Sequence, residues 1–207
     1  MKRVLLITSF LFLSFISIKA QDGFKPEFYL GVIQGASFSR VDFAVTGIDQ
    51  EFVPGYGGGL IFRYISEPVA GIQVELNYLE KGWSGKPGTY EYYKGSLSYI
   101  ELPFLTHITL GKKKTYFTVN FGPYMSYMIT NDIKSNIDYP LDIDNEFEFG
   151  YCVAIGLGFR SPIGTFQIEG RYLNSVTNFF NTSTKTQFYA SRNQVIFTSL
   201  TWLVKIK

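Results

Sequence analysis

Cysteine is nearly absent from this 207-residue chain, in which Cys152 stands alone. That excludes an intrachain disulfide, a cysteine-cluster metal site and a Cys-X-X-Cys redox motif, so the fold must hold by packing and backbone pairing. Histidine is as scarce. His107 is the one candidate base for a Ser-His-acid centre, and the sequence places no serine or carboxylate beside it. The reading is therefore of a non-enzyme with no cofactor and no metal site. Gly55 to Gly59 and Gly111-Lys112 do not amount to phosphate loops. In the second, Thr106 stands where a Walker motif has its upstream glycine, and the pair sits in a hairpin turn, away from any helix start.

Long apolar runs are also missing, with one exception at the start. Lys2 and Arg3 precede an apolar stretch from Val4 to Ile18, and Lys19-Ala20-Gln21 follows. The stretch is too short for the roughly 20 residues of a spanning helix, and its layout is that of a secretory signal peptide over residues 1–20 with cleavage after Ala20. Residues 21–207 then form one domain. Removing Lys2, Arg3 and Lys19 from the 19 basic residues leaves them just short of the 17 acidic ones. A basic stripe for nucleic acid is therefore not expected.

What the chain has in abundance is aromatic surface: 20 Phe and 15 Tyr, more than a soluble domain of this size readily hides. Between its turns and loops the chain runs in eight stretches of alternating apolar and polar side chains. Ile72, Val74, Leu76 and Tyr78 share one face against Gln73, Glu75 and Asn77. Phe166, Ile168, Gly170 and Tyr172 oppose Gln167, Glu169 and Arg171, and Phe117, Val119, Phe121 and Met125 oppose Tyr116, Thr118, Asn120 and Ser126. Period two over such lengths means strands with two unlike sides. From Phe147 to Phe159 the odd positions are large and apolar, while Gly150, Cys152, Ala154, Gly156 and Gly158 lie between them. Small residues on one face suit a narrow barrel whose interior is crowded by neighbouring side chains.

Connections alternate as well. Ser66-Glu67-Pro68, Gly111-Lys112-Lys113 and Ser161-Pro162-Ile163 are tight, whereas roughly Ser39 to Gly55, Lys81 to Ser96, Thr130 to Asn145 and Ser175 to Arg192 are long. The expectation is an all-β fold: an eight-stranded antiparallel up-and-down transmembrane β-barrel with strands of about 10 to 14 residues, short turns at one rim and long loops at the other. The first and last strands must then pair, which brings both chain ends to the short-turn rim. The first strand, Phe28 to Phe38, leaves its facing open, and Val195, Phe197 and Leu203 blur the polar face of the last. Alternation alone leaves a soluble barrel with its aromatics around an apolar ligand as an alternative, and a lipid-modifying barrel enzyme as another.

The strand motifs resemble those of the PorT-type outer-membrane β-barrel family of Gram-negative bacteria. The likeness is carried by Leu30-Gly31-Val32 to Ser39, by Glu75-Leu76-Asn77-Tyr78 through Lys81-Gly82, and most specifically by Tyr99-Ile100-Glu101-Leu102-Pro103-Phe104-Leu105. Phe121-Gly122-Pro123-Tyr124, Gly156-Leu157-Gly158 and Glu169-Gly170-Arg171-Tyr172 extend it. The resemblance implies a single barrel in the outer membrane, porin-like in build, with outer-membrane lipid around it and an envelope or secretion-machinery protein as the expected partner.

With the apolar faces toward lipid, Arg63, Glu75, Glu101, Arg160, Glu169 and Arg171 project inward, and such charges require partners there. A lumen polar network is the expectation, with His107 as a hydrogen-bonding member. Both termini are expected in the periplasm and the long loops outside. Asp132, Asp138, Asp142, Asp144 and Glu146 make one long loop acidic without the spacing of a calcium loop. Tyr90, Tyr92, Tyr93, Phe179, Phe180, Phe188 and Tyr189 mark the loops as contact surfaces, either for a partner or for the membrane interface.

Overall fold

The computed structural model describes residues 24–43, 49–86, 93–111, 114–135, 143–178 and 191–206. The signal segment lies outside these residues, as do the loop residues Tyr90, Tyr92, Asp138, Asp142, Phe179, Phe180, Phe188 and Tyr189. The strands are β1 (Glu27–Phe43), β2 (Asp49–Glu51), β3 (Val53–Glu67), β4 (Ala70–Lys86), β5 (Tyr93–Leu110), β6 (Thr115–Ser135), β7 (Phe147–Ser161), β8 (Gly164–Ser175) and β9 (Ser191–Lys205). Eight of them are long, and every neighbour pair is antiparallel. The pairing of β1 with β9 closes the wall, with Tyr29 opposite Lys205 and Phe43 opposite Ser191. Closure leaves no long edge strand unpaired. The short β2 lies against β4, with Glu51 opposite Ser84, and continues β3 past a one-residue irregularity at Phe52.

The start of β1 and the end of β9 meet at the short-turn rim, where Ile206 N donates to Phe28 O at 2.8 Å. At that rim Pro68-Val69 and Pro162-Ile163 form the turns of two hairpins. Gly164, with φ of 133°, follows the second turn in the left-handed region, and Ser161 Oγ donates to its carbonyl at 2.7 Å.

At the other rim the strands run further than the sequence suggests. β6 has 21 residues and β5 has 18, against the expected 10 to 14. β4, β5 and β6 stay paired up to Gly85, Tyr93 and Ser135, so Lys81 to Lys86 is strand where a loop is expected. Polar residues hid this extension. Above Ile100 and Ile129 the exposed residues turn polar at Ser96, Thr130, Asn131, Asp132 and Lys134, so the wall continues above the apolar belt as a ribbon wetted on its outside.

The two faces of the wall differ. Leu60, Leu76, Phe104, Phe117, Phe121, Ile155, Leu157, Ile168 and Leu200 are exposed on the outside. Tyr56, Tyr127, Tyr151 and Tyr172 stand toward the long-loop end of that belt and Trp202 toward the short-turn end, the placement of aromatic girdles. On β1, Ile33, Ser37, Ser39 and Val41 point inward and Leu30, Val32, Gln34, Ala36 and Phe38 outward, which decides the facing that the sequence left open. An aromatic belt on the outside and buried carboxylates within are the reverse of a soluble ligand carrier.

Inside, glycines make room for large rings on the next strand. A Cβ at Gly158 would stand 2.2 Å from Tyr116, one at Gly150 2.6 Å from Tyr124 and one at Gly95 2.3 Å from Trp83, and each pair is in direct register. This small-against-large matching fills a lumen too narrow for two bulky neighbours. Val195, Phe197 and Leu203 join Ile33, Ile61, Leu79, Leu105, Cys152 and Leu173 in an apolar cluster within the lumen. The mixed face of β9 thus reflects an interior in which apolar side chains from most of the strands sit among buried polar ones.

Candidate functional site

The charged side of the lumen contains two separate clusters. The first draws on alternate residues of β4 and β8, whose period-two spacing stacks inward side chains along each strand. Arg171 is its hub. Its Nη1 and Nη2 donate to Glu75 Oε2 and Oε1 at 2.6 and 2.8 Å, a fork-to-fork pair, and its Nε donates to Glu169 Oε1. Gln73 and Asn77 also donate to Glu75, and Asn120 and Gln167 to Glu169. Arg63 completes the set without touching a carboxylate: its Nε donates to Gln73 Oε1 at 2.7 Å and its Nη2 to Gln167 Oε1 at 3.0 Å. Each glutamine therefore accepts from Arg63 and passes a hydrogen bond on to a glutamate. Two cations and two anions balance.

His107 extends this cluster toward the short-turn rim. Its Nδ1 lies 2.6 Å from Asn120 Oδ1 and its Nε2 3.0 Å from Thr109 Oγ1. Because Asn120 Oδ1 only accepts, Nδ1 carries the proton and Nε2 accepts from Thr109. The ring is buried and bound to an amide and a hydroxyl.

The second cluster lies nearer the long loops. Lys81 Nζ donates to Glu148 Oε1 at 2.7 Å and stands 3.1 Å from Glu101 Oε2, off hydrogen-bond alignment. Tyr124 OH donates to Glu148 Oε1 at 2.7 Å, and Asn193 Nδ2 donates to Glu148 Oε2. The ammonium also sits 4.5 Å from the centre of the Tyr99 ring and 5.1 Å from that of Tyr124, each within cation–π range. One cation here serves two carboxylates.

Of the six charges expected inside, the structure gathers Arg63, Glu75, Glu169 and Arg171 in one cluster and places Glu101 in the other. Arg160 stands apart. It lies at the short-turn mouth, exposed, with its guanidinium carbon 4.2 Å from the centre of the Tyr116 ring. β7 ends one residue later, so an inward side chain at this position clears the end of the wall. Lys81 and Glu148 escape the sequence reading for opposite reasons. Lys81 falls in a stretch read as loop, and Glu148 sits between Phe147 and Phe149 at a strand start, where its partners come from three other strands. Period-two counting extended through Lys81 would have found the first of them.

Of the acidic-loop residues, Asp132 pairs with Lys134 at 3.2 Å on the surface, and Glu146 accepts from Tyr127 OH at 2.5 Å. Among the described residues no group of three or more His, Cys, Asp or Glu side chains could hold a metal ion.

A closed eight-stranded wall, apolar outside and ionic within, defines the class of small outer-membrane barrels. Residues 19–181 match the sequence profile of the outer membrane protein beta-barrel domain, and the chain belongs to that family. No curated protein sequence matches it. The fold is similar to that of OprG from Pseudomonas aeruginosa, at 10% identity over 88% of this chain and 98% of that one, with a TM-score of 0.55. Ail, the attachment invasion locus protein of Yersinia pestis, aligns at 12% identity over 86% and 99%, with a TM-score of 0.45. The outer membrane protease OmpT from Escherichia coli aligns at 11% identity over 87% and 96%, with a TM-score of 0.41. The protein is thus an outer-membrane barrel embedded in lipid, and the comparisons do not single out the PorT type.

Proposed function

We propose that this barrel is a non-conducting scaffold of the outer membrane, of the PorT type, which holds another envelope component at its loops or its periplasmic rim as an accessory to secretion. In this reading the short turns and both chain ends face the periplasm and the long loops face outward. One observation carries it: the side chains that meet across the lumen are shut off from water, with Asn120 and Gln73 at 0% exposure and Glu75, Glu101, Glu169 and Arg171 at 3% or less. The ionic clusters and the rings of Trp83, Tyr99 and Tyr124 act together as a plug. A wall with a filled middle transports nothing through its axis, so what it offers the cell is its two rims.

Two measurements test this. In planar bilayers the purified barrel should give no discrete conductance steps, and a stable open level would remove the plug. For orientation, Asp144→Cys should react with a membrane-impermeant maleimide on intact cells and Ile163→Cys only after permeabilisation. The native Cys152 is buried and leaves the background dark. The opposite labelling pattern would invert the topology. Photo-crosslinkers at the same two positions would then show which rim captures an envelope protein, and capture from neither would end the scaffold reading.

A further inference from the structure

On β1 the outward row is Leu30, Val32, Gln34, Ala36 and Phe38, which sets a carboxamide at the middle of a face turned to acyl chains. Leu200 of β9 and Gly58 of β3 stand opposite it. Among the described residues the Gln34 side chain has no hydrogen-bond partner. Lipid tails offer it neither donor nor acceptor, and a bare amide in hydrocarbon is costly. The surface beside it is hollow: a groove of about 730 Å³ is lined in part by Val32, Gln34, Gly58, Ile168, Leu200 and Trp202. The Tyr56 phenol lies over Gly58, where an added Cβ would stand 3.1 Å from its hydroxyl, so a second polar group turns into the groove. A further depression continues from Gln34 to Thr198, whose partners in register are Ala36 and Gly170. At Gly170 an added Cβ meets nothing within 4 Å.

We propose that this face is the contact between two copies of the chain in the membrane, packed about a two-fold axis that passes near Gln34. The amide itself argues for a second copy. A carboxamide carries a donor and an acceptor at one end, so it is its own complement, and a two-fold axis brings two of them together. A phospholipid keeps its ester groups near the headgroups, and its tails would leave the amide bare. The small residues Ala36, Gly58 and Gly170 let the two walls approach closely, as small residues do between membrane helices. Ile168 and Leu200, both more than half exposed beside the hollow, then pack into the groove of the facing copy. The contact lies on the wall and leaves both rims free, so it stands apart from the scaffold reading.

The test is self-association of the full mature barrel in phospholipid vesicles, read by energy transfer between donor- and acceptor-labelled copies as the protein is diluted with lipid. Transfer that saturates as a dimer is expected. Gln34→Leu should raise the dissociation constant about tenfold, the scale of one interchain hydrogen bond lost in lipid. Gly170→Leu should raise it at least as much by holding the walls apart, and it folds because its side chain enters open space. A photo-crosslinker at Leu200 should give an adduct of the chain with itself, whereas one at Phe121 on β6, outside this face, should not. A monomer at every dilution overturns the proposal, as does unchanged association in both variants or equal self-capture from Leu200 and Phe121. A monomer that retains a lipid which Gln34→Leu releases also overturns it, and makes that lipid the occupant of the groove.

Discussion

The two ionic clusters inside this barrel solve the same problem with different means. Around Arg171, each glutamate has the arginine plus two amide donors, and Arg63 adds its charge through two glutamines, so charge and hydrogen bonds both close. Around Lys81, charge does not close. Glu148 is well held by lysine, tyrosine and asparagine, whereas among the described residues Glu101 has only an off-axis contact to the shared ammonium. The difference teaches that burial alone does not make a charge structural. What matters is whether the groups around it can replace the water it lost.

Five substitutions break or sharpen this comparison. Their effects can be read by urea unfolding from phospholipid vesicles, because Trp83 is buried inside the wall and Trp202 is exposed outside, one reporter for each face. Arg171→Leu should cost most, about 4 to 5 kcal/mol, since two buried carboxylates lose their common partner at once. Lys81→Met should cost about 3 kcal/mol, less because the phenol of Tyr124 and the amide of Asn193 still serve Glu148. A larger loss for Lys81→Met than for Arg171→Leu would reverse the ranking of the clusters. Leu76→Arg tests the other face and should cost about 2 to 3 kcal/mol when the arginine meets the acyl chains; a variant that inserts and unfolds like the parent would contradict the facing of β4. Leu157→Arg repeats that test on β7. Glu101→Gln should be the mildest, within about 1 kcal/mol of the parent in either direction, because it removes the surplus carboxylate and keeps the shape. A severe loss there would show that Glu101 is a full member of its cluster.

Much of the wall was legible in residue order. Ile72 to Tyr78 and Phe166 to Tyr172 alternate so strictly that face and strand follow together, and the glycines from Gly150 to Gly158 announce large rings opposite them before Tyr116 and Tyr124 are located. Five of the six expected lumen charges lie in the clusters, because alternation fixes which side a residue takes. It does not fix its height. Arg160 has the right side and the wrong level, at the mouth instead of the middle. Lys81 was lost because polar residues above the belt look like loop in a sequence, while in the barrel β4 continues for five residues beyond it, paired to β5. β1 and β9 were ambiguous for a related reason: their inward residues, among them Ile33, Val195 and Phe197, are apolar like their outward ones, so the contrast that marks the other strands is missing.

By itself the order of residues determined the number of long strands, their alternating connections and which side chains share a face, since a period of two is a local property of the extended chain. Which charge meets which was settled only by the closed wall. Closure sets the register and tilt of each strand, and these bring Arg171 of β8 to Glu75 of β4 and Lys81 of β4 to Glu148 of β7, across the barrel between residues that no local rule connects.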